Sequence, residues 1–133
     1  MVVARGKNAQ NQRRFFRINF QDTTFNTNTW SQIVASNTYP IDSDPGLEWN
    51  DDEQTLTLYY RSNEQIIQTS GLNGQLGTLP FTPVSGSSGH EFTGAPQAIG
   101  NTRIEFGSHA VIARGTDGVA YVAESDSSDW LTP

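Results

Sequence analysis

At 133 residues the chain is one domain's worth of sequence, long enough to bury a core without a metal or a disulfide. It has no cysteine, which excludes a disulfide framework and a cysteine-held zinc, and its formal net charge is −6. No stretch approaches the roughly 18 apolar residues of a membrane span, and the first residues hold no signal-peptide core, so a soluble protein made in the cytoplasm is expected.

The charge is unevenly spread. Residues 1–20 hold Arg5, Lys7, Arg13, Arg14 and Arg17 and no acid, a charge of +5; the other three basic residues against all fourteen acids leave −11 elsewhere. An acidic body with a basic end is the asymmetry of a tail that docks on an acidic surface or on nucleic acid. The same acidity argues against nucleic-acid binding by the folded part, because phosphates would be repelled.

In chain order, residues 1–14 are polar and basic without periodicity and read as an extended arm. Phe16, Ile18 and Phe20 then alternate with Arg17 and Asn19, the pattern of a strand with one buried and one wet face. Trp30, Ile33 and Val34 lie in a second β-rich run. Leu47–Trp49 and Thr55–Tyr59 read as a hairpin across the polar turn at 50–53. Along Thr55–Arg61, Leu56, Leu58 and Tyr60 fall on one face, with the threonines and Tyr59 on the other. Glu64–Thr69 is the expected antiparallel return after the Ser62-Asn63 turn. Residues 71–97 carry six glycines and three prolines and read as a long connection with at most one short strand. Ser108–Arg114 and Val119–Glu124 flank Gly115-Thr116-Asp117-Gly118, a strong hairpin signal. No window shows the apolar spacing of an amphipathic helix. The expected fold is therefore all-β, an antiparallel sandwich or jelly-roll-like barrel over residues 15–125, with the arm before it and a tail at 126–133.

The catalytic inventory is thin. His90 sits beside Glu91 with Ser87 and Ser88 near, but a Gly-Ser-rich loop does not rigidly orient a nucleophile and its base, so no catalytic residue is assigned. His109 opens a hairpin strand and reads as a surface residue. Asp42, Asp44, Glu48, Asp51, Asp52 and Glu53 offer oxygen ligands for calcium, but they lack the closing glutamate of an EF-hand loop, and solvated turns are the simpler reading. Nothing singles out a glycosidase pair among the acids, and no phosphate loop is present. No metal or cofactor is expected.

Trp30, Trp49 and Trp130 with Tyr39, Tyr59, Tyr60 and Tyr121 could stack on sugars, although in a β domain of this size two tryptophans are normally core. Trp130 and Leu131, ending a polar tail, look like an anchor for a neighbour's pocket. The expected partner-binding residues are thus Arg5, Lys7, Arg13, Arg14, Arg17, Trp130 and Leu131.

The segment Phe15–Phe20 followed by Asn26–Ser36 resembles the opening of small virion proteins of tailed bacteriophages, where a Thr-Trp-x-Gln-hydrophobic strand begins a compact β-sandwich. That resemblance covers about residues 15–38. It implies a structural part of the virion, made in the host cytoplasm: a capsid decoration (cement) or head–tail accessory protein that docks on major capsid or neck and tail subunits. It further implies a homo-oligomer, with a trimer expected of a decoration protein, and no enzymatic activity. A carbohydrate-binding module or lectin is the alternative, and an icosahedral coat protein with a nucleic-acid-facing arm a further one.

Overall fold

The computed structural model describes residues 2–18, 30–33, 39–50, 54–72, 76, 80–84, 89–100, 109–124 and 130–132. The expected all-β class is what the chain adopts: the described residues contain no helix and form three antiparallel sheets. The first sheet joins β1 (Val2–Lys7), β2 (Arg13–Ile18) and β3 (Ser31–Gln32) in that order. The second is β4 (Gly46–Asn50), β5 (Thr55–Ser62), β6 (Gln65–Leu72) and β7 (Thr82–Pro83). The third comprises β8 (Phe92–Gly100), β9 (His109–Gly115) and β10 (Ala120–Glu124), with β9 in the middle.

The middle sheet carries a core on each face. Leu56, Leu58 and Tyr60 of β5 pack with Ile67 of β6 and with Phe15 and Ile33 of the first sheet region. The face formed by those β5 residues is as the alternation predicts. The opposite face is not wet: Tyr59 is 2% exposed and Thr57 4%. Tyr59 and Ile66 join Phe92, Val111, Ala113, Tyr121 and Ala123 of the third sheet in a second core. Sheet three lies close enough that a Cβ on Gly46 would meet the Pro96 carbonyl oxygen at 2.9 Å. A strand with both faces covered loses the wet–dry contrast on which alternation depends.

Three hairpins fall where the sequence marks them. Asn63, at φ 53°, closes β5 onto β6 with Ser62 opposite Gln65. Asn50 pairs with Thr55, so β4 and β5 form the expected hairpin, whose residues 51–53 lie outside the described residues. Between β9 and β10, the Gly118 amide bonds to Gly115 O at 3.0 Å, and Gly118 takes φ 86°. That is a three-residue loop with glycine in the left-handed position.

Four expectations change. The basic segment 1–14 does not hang free over its described residues: Val2–Lys7 pairs antiparallel with Arg13–Ile18, and Val3 packs on the first core. Asn8 organises the turn, its Oδ1 accepting from the amides of Gln10 (3.1 Å) and Gln12 (2.9 Å). In β2 both faces hold a buried residue, Ile18 at 8% exposure on the expected face and Phe15 at 0% on the other, with Phe16 half-buried; Phe20 lies outside the described residues. Residues 92–97 belong to β8 and not to a connection, because Gly94 (φ 77°) and Pro96 sit where its register with β9 shifts between Thr93 and Gln97. At such a bulge these residues bend a strand without ending it. The fourth change is at the C-terminal end: Trp130 is buried in the domain's own second core, and Val122 and Leu131 exchange backbone hydrogen bonds of 2.8 Å. Leu131 thus lies along the outer edge of β10, and burial of the large Trp130 indole is favoured over its projection into water.

Candidate functional site

Two basic residues of the hairpin reach acids of the body. Arg5 Nε lies 3.1 Å from Asp44 Oδ1, and Arg13 Nη1 is 3.3 Å from Asp42 Oδ1 and 3.2 Å from the Ile41 carbonyl oxygen. Arg14 donates to Arg13 O and Gln12 Oε1, both at 2.8 Å, and Arg17 is half-buried. Lys7 is exposed at the end of β1. Of the expected partner-binding set, two arginines therefore neutralise acids of their own chain. Leu131 remains open, 51% exposed, while Trp130 does not, at 6%.

The same contacts account for the acidic run. Asp42 Oδ2 also accepts from the Asn63 amide at 2.6 Å, and Arg61 donates to the carbonyl oxygens of Asp42 (3.1 Å), Gly94 (3.2 Å) and Asn63. Asp42 and Arg61 thereby tie the β1–β2 hairpin, the β5–β6 turn and β8 together at one end of the molecule. Glu48 points the other way, buried at 2% exposure and accepting from the Tyr59 hydroxyl at 3.2 Å. Burial, then the charge and hydrogen bond of Glu48, push the Tyr59 phenol far up. Asp51, Asp52 and Glu53 lie outside the described residues, among which no three potential ligands gather into a metal site.

Beside this node, at the start of β6, is a half-open groove of about 520 Å³. Its apolar floor comes from Ile66, Val84, Phe92 and Trp130. Its polar rim comes from the Asn63–Gln65 turn and from His90 and Glu91 leading into β8. Two backbone bonds hold the walls, Phe92 N to Glu64 O at 2.8 Å and Thr116 N to Glu91 O at 2.9 Å. The indole of Trp130 lies 4.4 Å from the Phe92 ring, centroid to centroid.

A chain of contacts orients His90. Its ring stacks on Tyr121 at 4.2 Å, and the Tyr121 hydroxyl donates to Asp117 Oδ2 at 2.7 Å. Asp117 in turn accepts the Val119 amide at 2.9 Å. The Tyr121 hydroxyl, then the Val119 amide and the nearby imidazole, lower the Asp117 carboxyl below its ordinary value, and the phenol is raised by the same bond. The hairpin signal places Asp117 in the three-residue loop and Tyr121 four residues on, in β10, so their meeting is readable from the chain. Their meeting with His90 is not. Ser87 and Ser88 lie outside the described residues, as does the side chain of His109.

The tryptophans divide in the reverse of the expected way. Trp130 is core, whereas Trp30, leading into β3, is 51% exposed and Trp49, on β4, is 40% exposed. Among the described residues, β3 and β4 are each the last strand of their sheet. Comparison with family models, with curated proteins and with solved structures finds no match for this chain.

Proposed function

We propose that the chain is a non-catalytic structural subunit of a larger particle: a capsid decoration or head–tail accessory protein of a bacteriophage virion, docking on neighbouring subunits. One observation carries the reading. Two tryptophans stand half-open at edge strands of different sheets, in a domain that buries its third. Exposed indoles are the side chains that protein interfaces most often bury and depend on. The likeness of residues 15–38 to small virion proteins supports the particle, and the layered all-β build supplies a rigid module for it.

Deleting residues 1–14 would remove β1 and the Arg13–Asp42 contact, so point substitutions are the sharper test. Trp30→Ala with Trp49→Ala, supplied during infection in place of the native chain, should leave the fold intact and reduce recovery of the protein in gradient-purified particles by roughly tenfold. Undiminished incorporation refutes the docking assignment. Native mass spectrometry then reads the oligomeric state, for which a trimer is expected.

A further inference from the structure

The groove beside Trp130 has a composition that docking on protein neighbours does not require. We propose that it binds a neutral saccharide. Its volume of about 520 Å³ falls within the roughly 300–1,000 Å³ of small-molecule sites. Its floor is the apolar edge of the second core, where Phe92 and Trp130 keep only 3% and 6% of their surface open, so recognition falls to the rim.

The rim identifies the ligand more closely. Glu64 and Glu91 only accept hydrogen bonds, while the amides of Asn63 and Gln65 both donate and accept. A hydroxyl, itself donor and acceptor, matches such a mixed set. An ammonium group matches only its acceptors. A phosphate, sulfate or carboxylate would meet two carboxylates against a single imidazole and be repelled. His90 packs against Tyr121, which Asp117 anchors, before any ligand arrives, and this reduces the ordering that binding demands. These groups are not those that would stack sugars on the exposed surface, since Trp30 and Trp49 do not line the groove.

The test uses the full chain in saturation-transfer NMR and calorimetry. The probes are glucose, galactose, mannose, N-acetylglucosamine and their disaccharides, with sialic acid and glucose 6-phosphate as anionic arms. At least one neutral sugar should bind, and its affinity should fall by roughly tenfold or more in His90→Ala and in Glu64→Gln with Glu91→Gln. Both carboxylates belong to exposed residues, so the second variant keeps its fold. Trp30→Ala with Trp49→Ala should bind as the parent does. The assignment is overturned by no neutral sugar binding, by a preference for the anionic arms, or by affinity that survives the groove variants and follows Trp30 and Trp49. Incorporation into particles is read separately, so either result leaves the docking proposal standing on its own test.

Discussion

Replacing Trp130 by alanine separates an indole that belongs to this domain's core from one that waits for a partner. Trp130 is 6% exposed and packs against Phe92 with ring centroids 4.4 Å apart, so nearly the whole side chain is removed from water. An aromatic side chain of this kind buries about 150–250 Å². At about 25 cal/mol per Å² this is worth ~4–6 kcal/mol, reduced to ~3–4 kcal/mol because the denatured chain already hides part of its apolar surface. Large-to-alanine changes of buried tryptophans fall in the same range, ~3–5 kcal/mol. With a urea m-value of about 2 kcal/mol/M, the unfolding midpoint of Trp130→Ala should drop by ~1.5–2 M, followed by circular dichroism on the isolated chain. Leu131→Ala is the control: its side chain is 51% exposed, and its backbone bonds to Val122 survive the substitution. Its midpoint should move by less than ~0.3 M, the behaviour of a surface site. A Trp130→Ala midpoint as little shifted as that of Leu131→Ala would refute the fold-back of the tail.

Two aspartates two residues apart should differ sharply. Asp42→Ala removes the partner of Arg13 and of the Asn63 amide and should lower stability by ~1–3 kcal/mol in urea titration, whereas Asp44→Ala, whose carboxylate side chain is 72% exposed, should change it by less than ~0.5 kcal/mol. Gly46→Ala places a Cβ 2.9 Å from the Pro96 carbonyl oxygen, so the second and third sheets must move apart; a loss of ~1–3 kcal/mol is expected from the same measurement. Asp117 titrates below the ordinary carboxylate range, so the stability it contributes is present above that range and fades as pH falls through its lowered value. Tyr121→Phe should move the Asp117 titration upward in side-chain carboxyl NMR; an unmoved titration would mean the hydroxyl does not hold it. At the alkaline end the sign reverses. Tyr59 and Tyr60 are raised from 10.0, chiefly by burial, so the unfolded chain ionises first and stability should fall as pH climbs past that value.

Local features of the fold are legible in the chain itself. Gly118 and Asn63 mark turns because they tolerate the positive φ those turns impose, and the run Leu56, Leu58, Tyr60 declares one face of a strand. Gly94 and Pro96 mislead, since the residues that end a strand are also those that kink one at a bulge. The candidate groove is scarcely legible at all. Its floor joins Phe92 to Trp130 and its rim joins the 63–65 turn to His90, pairs separated by more chain than any local pattern spans.

By itself, then, the sequence determined the all-β class, the hairpins and their turns, because these depend on backbone dihedrals and on neighbours within a few residues. Tertiary structure alone decided which surfaces are covered. Tyr59 shares a strand face with threonines and is core because a third sheet lies over it; Trp130 looked like an anchor and is core because Leu131 pairs beside β10; Trp30 and Trp49 looked like core and are 51% and 40% exposed at edge strands. The physical reason is common to all of them: a side chain's hydrophobicity states how strongly it favours burial, and only the packing of distant segments supplies the surface that buries it.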